Sequence, residues 1–186
     1  MQTDFRHKFN KVILPALMKE LGIVNLMAAP RIQKITLNVG ISASNKDPKL
    51  NETVSSTLER ISGQKPVETL AKQSIASFKT RSGMVVGMKV TLRGMRMYDF
   101  LEKFVNVTLP RVRDFRGLSQ KSVDRNGNLS VGFKEHIAFP EIRPDEVERI
   151  HGIEVVFTAK AKDRDQGLAL WKAIGFPFQA KEGANK

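Results

Sequence analysis

The chain has 186 residues, no cysteine, and 31 basic against 19 acidic side chains, a net charge of +12. The missing thiols exclude disulfide frameworks, thiolate zinc sites and cysteine nucleophiles, and no apolar run approaches the ~20 residues of a membrane-spanning helix. A hydrophobic fraction of 41% suits one soluble domain burying roughly 70% of its unfolded surface, while the excess positive charge points to a polyanionic partner such as nucleic acid.

Residues Thr3–Leu21 place Phe5, Phe9, Val12, Ile13, Ala16, Leu17 and Leu21 on one helical stripe, with Gly22 as its stop. Pro15 removes the bond to the Lys11 carbonyl, so a kink or two short helices are expected. After Pro30, Arg31–Val39 alternates as a strand: Ile35, Leu37 and Val39 point one way, and Lys34, Thr36 and Asn38 the other. A second helix takes Asp47 as N-cap, Pro48 at its first position and Gly63 past its end, with the stripe Leu50, Val54, Leu58 and Ile61. Lys65–Leu70 reads as a short strand and Ala71–Gly83 as a polar, basic loop.

Met84–Arg93 is the clearest strand. Met84, Val86, Met88, Val90 and Leu92 form one face; Val85, Gly87, Lys89, Thr91 and Arg93 form the other. Arg96–Val107 reads as a helix packing Phe100, Leu101, Phe104 and Val105, closed by Pro110. Asn126–Gly127, between Ser122–Arg125 and Asn128–Val131, signals a two-residue hairpin turn. Pro140 and Pro144 punctuate a loop into a short helix near Asp145–Arg149. Ile153, Val155 and Phe157 form the inward face of a last strand. A final helix runs from an Asp163 cap through Leu168, Trp171 and Ile174 to Gly175. The expected fold class is α+β, an antiparallel or mixed sheet with helices packed on one face and the other face open. A single domain over residues 1–178 is expected, followed by a disordered tail at 179–186.

Between Glu68 and Asp99 the chain carries Lys72, Lys79, Arg81, Lys89, Arg93 and Arg96 and no acid. Lys34, Thr36 and Asn38 match Lys89, Thr91 and Arg93 in period and closely in type. Joined in one sheet with apolar faces inward, the six form a platform on which cations neutralise phosphates while Thr and Asn bond phosphate or ribose oxygens. Any half-exposed strand shows polar residues outward, so the pairing of two such combs within a basic chain carries the reading. Gly87 on the same face permits a close backbone approach. The Lys72–Arg81 loop is long enough to reach a second RNA element, and Arg111, Arg113 and Arg116 form another basic cluster. An anionic membrane surface is the weaker competitor, because no helix pairs a basic face with a Trp/Phe face.

Enzyme signals are poor. His7, His136 and His151 stand singly, and Asp145, Glu146 and Glu148 crowd one short helical turn. Gly83–Gly87 lacks the ending of a phosphate loop. No metal-ligand spacing and no cofactor motif is present. With only 7% aromatic residues, backbone and shape contacts are favoured over base stacking. An RNA-processing or RNA-modifying enzyme and a DNA-compacting protein are the alternatives.

The stretches PRIQKITLNVG (Pro30–Gly40), GQKPV (Gly63–Val67), SIASFKTRSGM (Ser74–Met84), KVTLRG (Lys89–Gly94), LPRVRDFRGLS (Leu109–Ser119) and GFPF (Gly175–Phe178) stand in one order. Together they resemble the bacterial-type large-subunit ribosomal proteins of the L-five family. The resemblance implies a helix-backed sheet whose open face grips 5S ribosomal RNA in the central protuberance. By motif position it nominates Asn38, Gln64 and Thr91 as polar contacts. Lys34, Thr36, Lys72, Lys89 and Arg93 join them through the strand-face and loop readings. It also implies that the loop holding Ser74, Ser77, Phe78, Lys79 and Arg81 reaches transfer RNA in the peptidyl site. An intersubunit contact with a small-subunit head protein is assigned to Arg111, Arg113 and Arg116. Further expected partners are large-subunit ribosomal RNA and neighbouring ribosomal proteins; the expected location is the ribosome in the cytoplasm. Gln73 stands where relatives often have a basic residue, and Glu68 puts an acid beside the platform.

Overall fold

Alternating apolar and polar residues along Arg31–Gly40 and Val85–Leu92 produce two strands, β1 and β3, in the computed structural model. The model describes residues 5–41, 48–143, 145 and 149–179. The other strands are β2 (Val67–Leu70), β4 (Leu129–Phe133) and β5 (Ile153–Lys160). They form an antiparallel sheet in the order β2-β3-β1-β5-β4. The fold class is therefore α+β, as the periodicities predict.

Contacts cluster the chain into two units: Met1–Ile35, Arg93–Val131 and Val156–Lys186 in one, Thr36–Leu92 and Gly132–Val155 in the other. In the second unit α3 (Pro48–Ser62) packs on β3. Its stripe of Leu50, Val54, Leu58 and Ile61 is buried together with Leu37, Val39, Met88, Val90 and Leu92. Each such side chain contributes about 1.5–3 kcal/mol by leaving water. Gly63 ends α3 with φ +67°, the left-handed conformation that closes a helix, and its N–H bonds the Glu59 carbonyl at 2.8 Å. The expected Asp47 cap lies outside the described residues. So do Pro144, Glu146 and Glu148 of the short acidic helix, and the tail from Ala180 onward.

Also in this unit, the His136 and His151 rings stack at 3.9 Å between centroids. Burial drives the His151 ring down to a pKa of about 4, with the His136 charge adding to the effect. Burial also lowers His136.

The other unit is built around aromatic rings. Phe157 meets Phe104 at 4.9 Å, Phe176 at 5.1 Å and Trp171 at 5.9 Å, all edge-on. Trp171 lies on α6 (Arg164–Ile174). The helix is capped as expected by Asp163, whose carboxylate accepts from the Gln166 N–H, and it ends at Gly175 with φ +107°. Leu170, rather than Leu168, occupies its buried stripe.

Both prolines inside helical patterns act through one local device. Phe5–Lys8 (α1) and Leu14–Glu20 (α2) are joined by a π-helical turn, Phe9–Ile13, ending two residues before Pro15. Gly94–Lys103 (α4) and Leu109–Arg111 (α5) are joined by another, Phe104–Thr108, ending two residues before Pro110. In each the next N–H reaches back five residues, Leu14 to Phe9 O and Leu109 to Phe104 O. A wider turn accommodates the ring and the missing donor. Pro15 therefore gives the expected interruption, whereas Pro110 does not close its helix, which runs from Gly94 to Arg111. The widened turn also shifts the N-terminal stripe, since Leu14 is buried while Val12 is 61% exposed and Ala16 is exposed.

The hairpin expected at Asn126–Gly127 forms only in part. Its first arm is a 3-10 turn, Gln120–Ser122, with an isolated bridge from Val123 to Leu129. The Asp124 carboxylate accepts from the Asn126 N–H, the Asn128 N–H and the Asn128 amide (2.9, 2.8 and 2.7 Å). Those donors are then lost to a strand ladder. Gly127, at φ +79°, gives its carbonyl to Trp171 Nε1 at 2.8 Å. Gly167 packs so closely here that a Cβ on it would run into the Gly127 backbone.

Gly167→Ala should therefore destabilise the chain by about 1–3 kcal/mol through overpacking, read as a lowered denaturation midpoint. The histidine pair should make stability depend on pH. The unfolded rings take up protons near 6.5 and the folded His151 ring near 4, so its contribution is complete above 6.5 and is lost as pH falls through that window. Denaturant titrations at pH 7 and pH 5 should show a larger loss for the native chain than for His151→Phe.

Candidate nucleic-acid interface

On β1, Thr36 and Asn38 are half-buried and alternate with buried Leu37 and Val39. On β3, exposed Lys89 and half-buried Thr91 alternate with buried Met88, Val90 and Leu92. The Ile41 N–H donates to Val86 O at 2.9 Å. An antiparallel ladder carried on from that bond without a slip sets Asn38 across from Lys89 and Thr36 across from Thr91. These four side chains lie on the face turned away from α3.

Gly87 explains how the strands come so close. A Cβ there would sit 2.7 Å from Val39 O and 3.0 Å from Thr69 Oγ1. The backbone that approaches this glycine is β1 itself, so Gly87 is buried by its own sheet, not reserved for a ligand. Across the other edge of β3 the register pairs Val67 with Lys89, Glu68 with Met88 and Thr69 with Gly87. Directly opposed residues share a face, so Thr69 joins the platform and Glu68 turns toward α3 with Met88. The acid beside the platform in sequence is thus absent from its surface. Thr69 escaped the sequence reading, because only the β2–β3 register reveals its face.

Gln64, just past α3, sends Nε2 to the Thr91 carbonyl at 3.5 Å, and its N–H donates to Ser62 Oγ at 3.2 Å. Ser62 Oγ in turn donates to Leu58 O at 2.6 Å. The end of α3 thereby fixes Gln64 beside Thr91, and Thr36, Asn38, Gln64, Lys89 and Thr91 come together within one unit.

The loop after β2 has internal structure. Ala71 and Met84 are bonded at 2.8 Å, Gly83 N–H reaches Ala71 O at 3.0 Å, and Ile75 and Thr80 form an isolated antiparallel bridge. Ser74 Oγ accepts from the Ser82 N–H at 3.0 Å. A 3-10 turn, Ala76–Phe78, ends at Lys79 with φ +52°, a conformation uncommon for a residue with a side chain. Phe78 projects at this tip, 69% exposed, and Lys72, Ser74, Ser77, Lys79 and Arg81 are exposed around it.

The remaining nominated residues lie in the other unit. There Lys34 is half-buried, and exposed Arg93 precedes α4 and directs Nη1 to Gln33 O at 3.5 Å. Arg111 and Arg116 are exposed and Arg113 is exposed beside them. Asp114 among them has φ +53°, and the segment is held where Leu118 N–H bonds Pro177 O at 2.7 Å and Gln179 N–H bonds Leu118 O at 2.9 Å. Among the described residues no group of three or more His, Cys, Asp or Glu side chains is arranged to hold a metal. Nor is any helix among them long and apolar enough to cross a membrane. The assembled chemistry is cationic and hydrogen-bonding, suited to phosphate and sugar.

Two family models match the chain: "Ribosomal protein L5" over residues 25–81, and the model for the C-terminus of the same ribosomal family over residues 85–178. Curated relatives bear the name large ribosomal subunit protein uL5. One from Halothermothrix orenii is 48% identical over 92% of this chain and 96% of its own length. One from Mycoplasma mycoides is 48% identical over 96% and 99%, and one from Francisella tularensis subsp. novicida is 50% identical over 92% and 96%.

Gly87→Ala should destabilise the chain by about 1–3 kcal/mol, because the new methyl must displace backbone rather than a flexible side chain. A lowered thermal midpoint, with amide shifts spreading along β1 and β2, is the expected reading.

Proposed function

Since the chain belongs to the ribosomal protein L5 family, we propose that it binds 5S ribosomal RNA through the open face of β1 and β3 and attaches it in the central protuberance. As a member of that family it is a structural, non-enzymatic constituent of the large ribosomal subunit, with ribosomal RNA and ribosomal proteins as partners. This removes the RNA-modifying enzyme from consideration.

The observation that carries the 5S reading is the polar face shared by Thr36 and Asn38 on β1 and Lys89 and Thr91 on β3, with Gln64 bonded to the Thr91 carbonyl and Glu68 turned off that face. Lys89 neutralises phosphate; Thr36, Asn38, Gln64 and Thr91 bond ribose and phosphate oxygens along the RNA surface. Lys72 extends the cationic surface at the root of the loop, and Lys34 and Arg93 supply further phosphate contacts. A sheet supports such contacts well because its side chains cannot shift register without exposing the core. The loop carrying Ser74, Ser77, Phe78, Lys79 and Arg81 is the contact to peptidyl-site transfer RNA, with Phe78 as its apolar tip. Arg111, Arg113 and Arg116 meet the small-subunit head protein in an intersubunit bridge.

Binding of 5S RNA measured at several salt concentrations tests this. Lys89→Ala and Arg93→Ala should each weaken binding and lower the salt slope by roughly 0.7–0.9. Thr91→Val should lose about 1 kcal/mol with the slope unchanged, since it removes a neutral hydrogen bond. Native-like slopes for both cation variants, or equal affinity for duplex DNA of the same length, would contradict the reading. Phe78→Ala should leave 5S RNA affinity intact while weakening cross-linking to peptidyl-site transfer RNA in reconstituted ribosomes.

A further inference from the structure

On the α3 side of the β2–β3 pair the second unit holds a groove of about 720 Å³ that the RNA reading leaves unused. Among the described residues its lining includes three carboxylates, Glu52 and Glu59 from α3 and Glu68 from β2, against a single cation, Lys65. In a chain of net charge +12 this concentration of acid is unfavourable to phosphate and favourable to cations. The groove is also partly apolar, since Leu70 is 55% exposed beside buried Met88. The Asn51 amide oxygen, in the same lining, has neither solvent contact nor a hydrogen-bond partner.

Among the described residues β2 lies at the end of the strand order and bonds β3 alone. A terminal strand presents a row of backbone donors and acceptors along its outer side. On β2 the edge, the exposed Leu70 and the Glu68 carboxylate therefore coincide, and α3 adds Glu52 and Glu59 to the same lining. We propose that this groove docks an extended, lysine- and arginine-rich segment of another protein. The segment adds its backbone to the outer edge of β2. Its alkyl stems cover Leu70 and Met88, and its cations meet Glu52, Glu59 and Glu68. A nucleic-acid occupant is disfavoured by the same three carboxylates. The docked segment and the RNA then use opposite faces of β3, so both bind at once.

A capped synthetic octapeptide of alternating lysine and valine, titrated into the isotope-labelled full chain and followed by amide shifts, tests the proposal. The expected result is saturable shifts concentrated at residues 51–59 and 65–70, with none from the matching glutamate–valine peptide. The pair Glu52→Gln and Glu68→Gln should weaken binding by about tenfold, and Ser55→Lys, which sets a cation in the lining, should do the same independently. The shifts should persist with 5S RNA bound. Absence of saturation, shifts scattered over the chain, equal binding by the two peptides, or native affinity in folded carboxylate variants would each overturn the proposal.

Discussion

The period-2 register of β1 and β3 under α3 is the constraint on which the rest depends. Leu37, Val39, Met88, Val90 and Leu92 are buried with Leu50, Val54, Leu58 and Ile61. A one-residue slip of either strand would expose that set and bury Asn38, Lys89 and Thr91 instead. Interior burial and outward chemistry are thus one choice, made once per strand. Gly87 tightens the choice, because its missing side chain lets Val39 O come closer than a Cβ would allow.

From that constraint the division of charge follows. Lys89 and its polar neighbours occupy one face of β3, while the β2 register sends Glu68 to the other with Met88. A strongly cationic chain can then keep acids without weakening its cationic face, since β3 and its covering helix separate the two. The Ser62–Gln64 turn links both levels: Ser62 Oγ closes α3 onto Leu58 O while also accepting from Gln64 N–H, and Gln64 reaches Thr91 O. The end of a helix whose stripe holds the sheet thus also ties a side chain to the β3 backbone at Thr91.

Where the deciding interaction is local, the sequence is legible. The strands, the α3 and α6 stripes, the left-handed closures at Gly63 and Gly175 and the Asp163 cap depend on residues a few positions apart. Readings that depend on distant partners are not recoverable this way. Pro110 looks like a helix stop until a π turn is allowed for. Asn126–Gly127 looks like a strand hairpin until Asp124 claims the donors. Gly87 signals a close backbone approach without saying that β1 makes it, and Thr69 and Glu68 exchange importance only once the β2–β3 pairing is known. For the candidate site, the alternation on β1 and β3 was enough to put Thr36, Asn38, Lys89 and Thr91 on the polar faces they occupy, while Gln64 entered through the motif resemblance, which no periodicity would supply.

Footprinting of backbone and side chains on the free chain and on its complex with 5S RNA tests the central claim most directly. The account predicts protection concentrated at Thr36, Asn38, Gln64, Lys89 and Thr91, with Glu52, Glu59 and Glu68 unchanged on the opposite face. Protection along the exposed side of α3, with the β1 and β3 positions left as reactive as in the free chain, would contradict it.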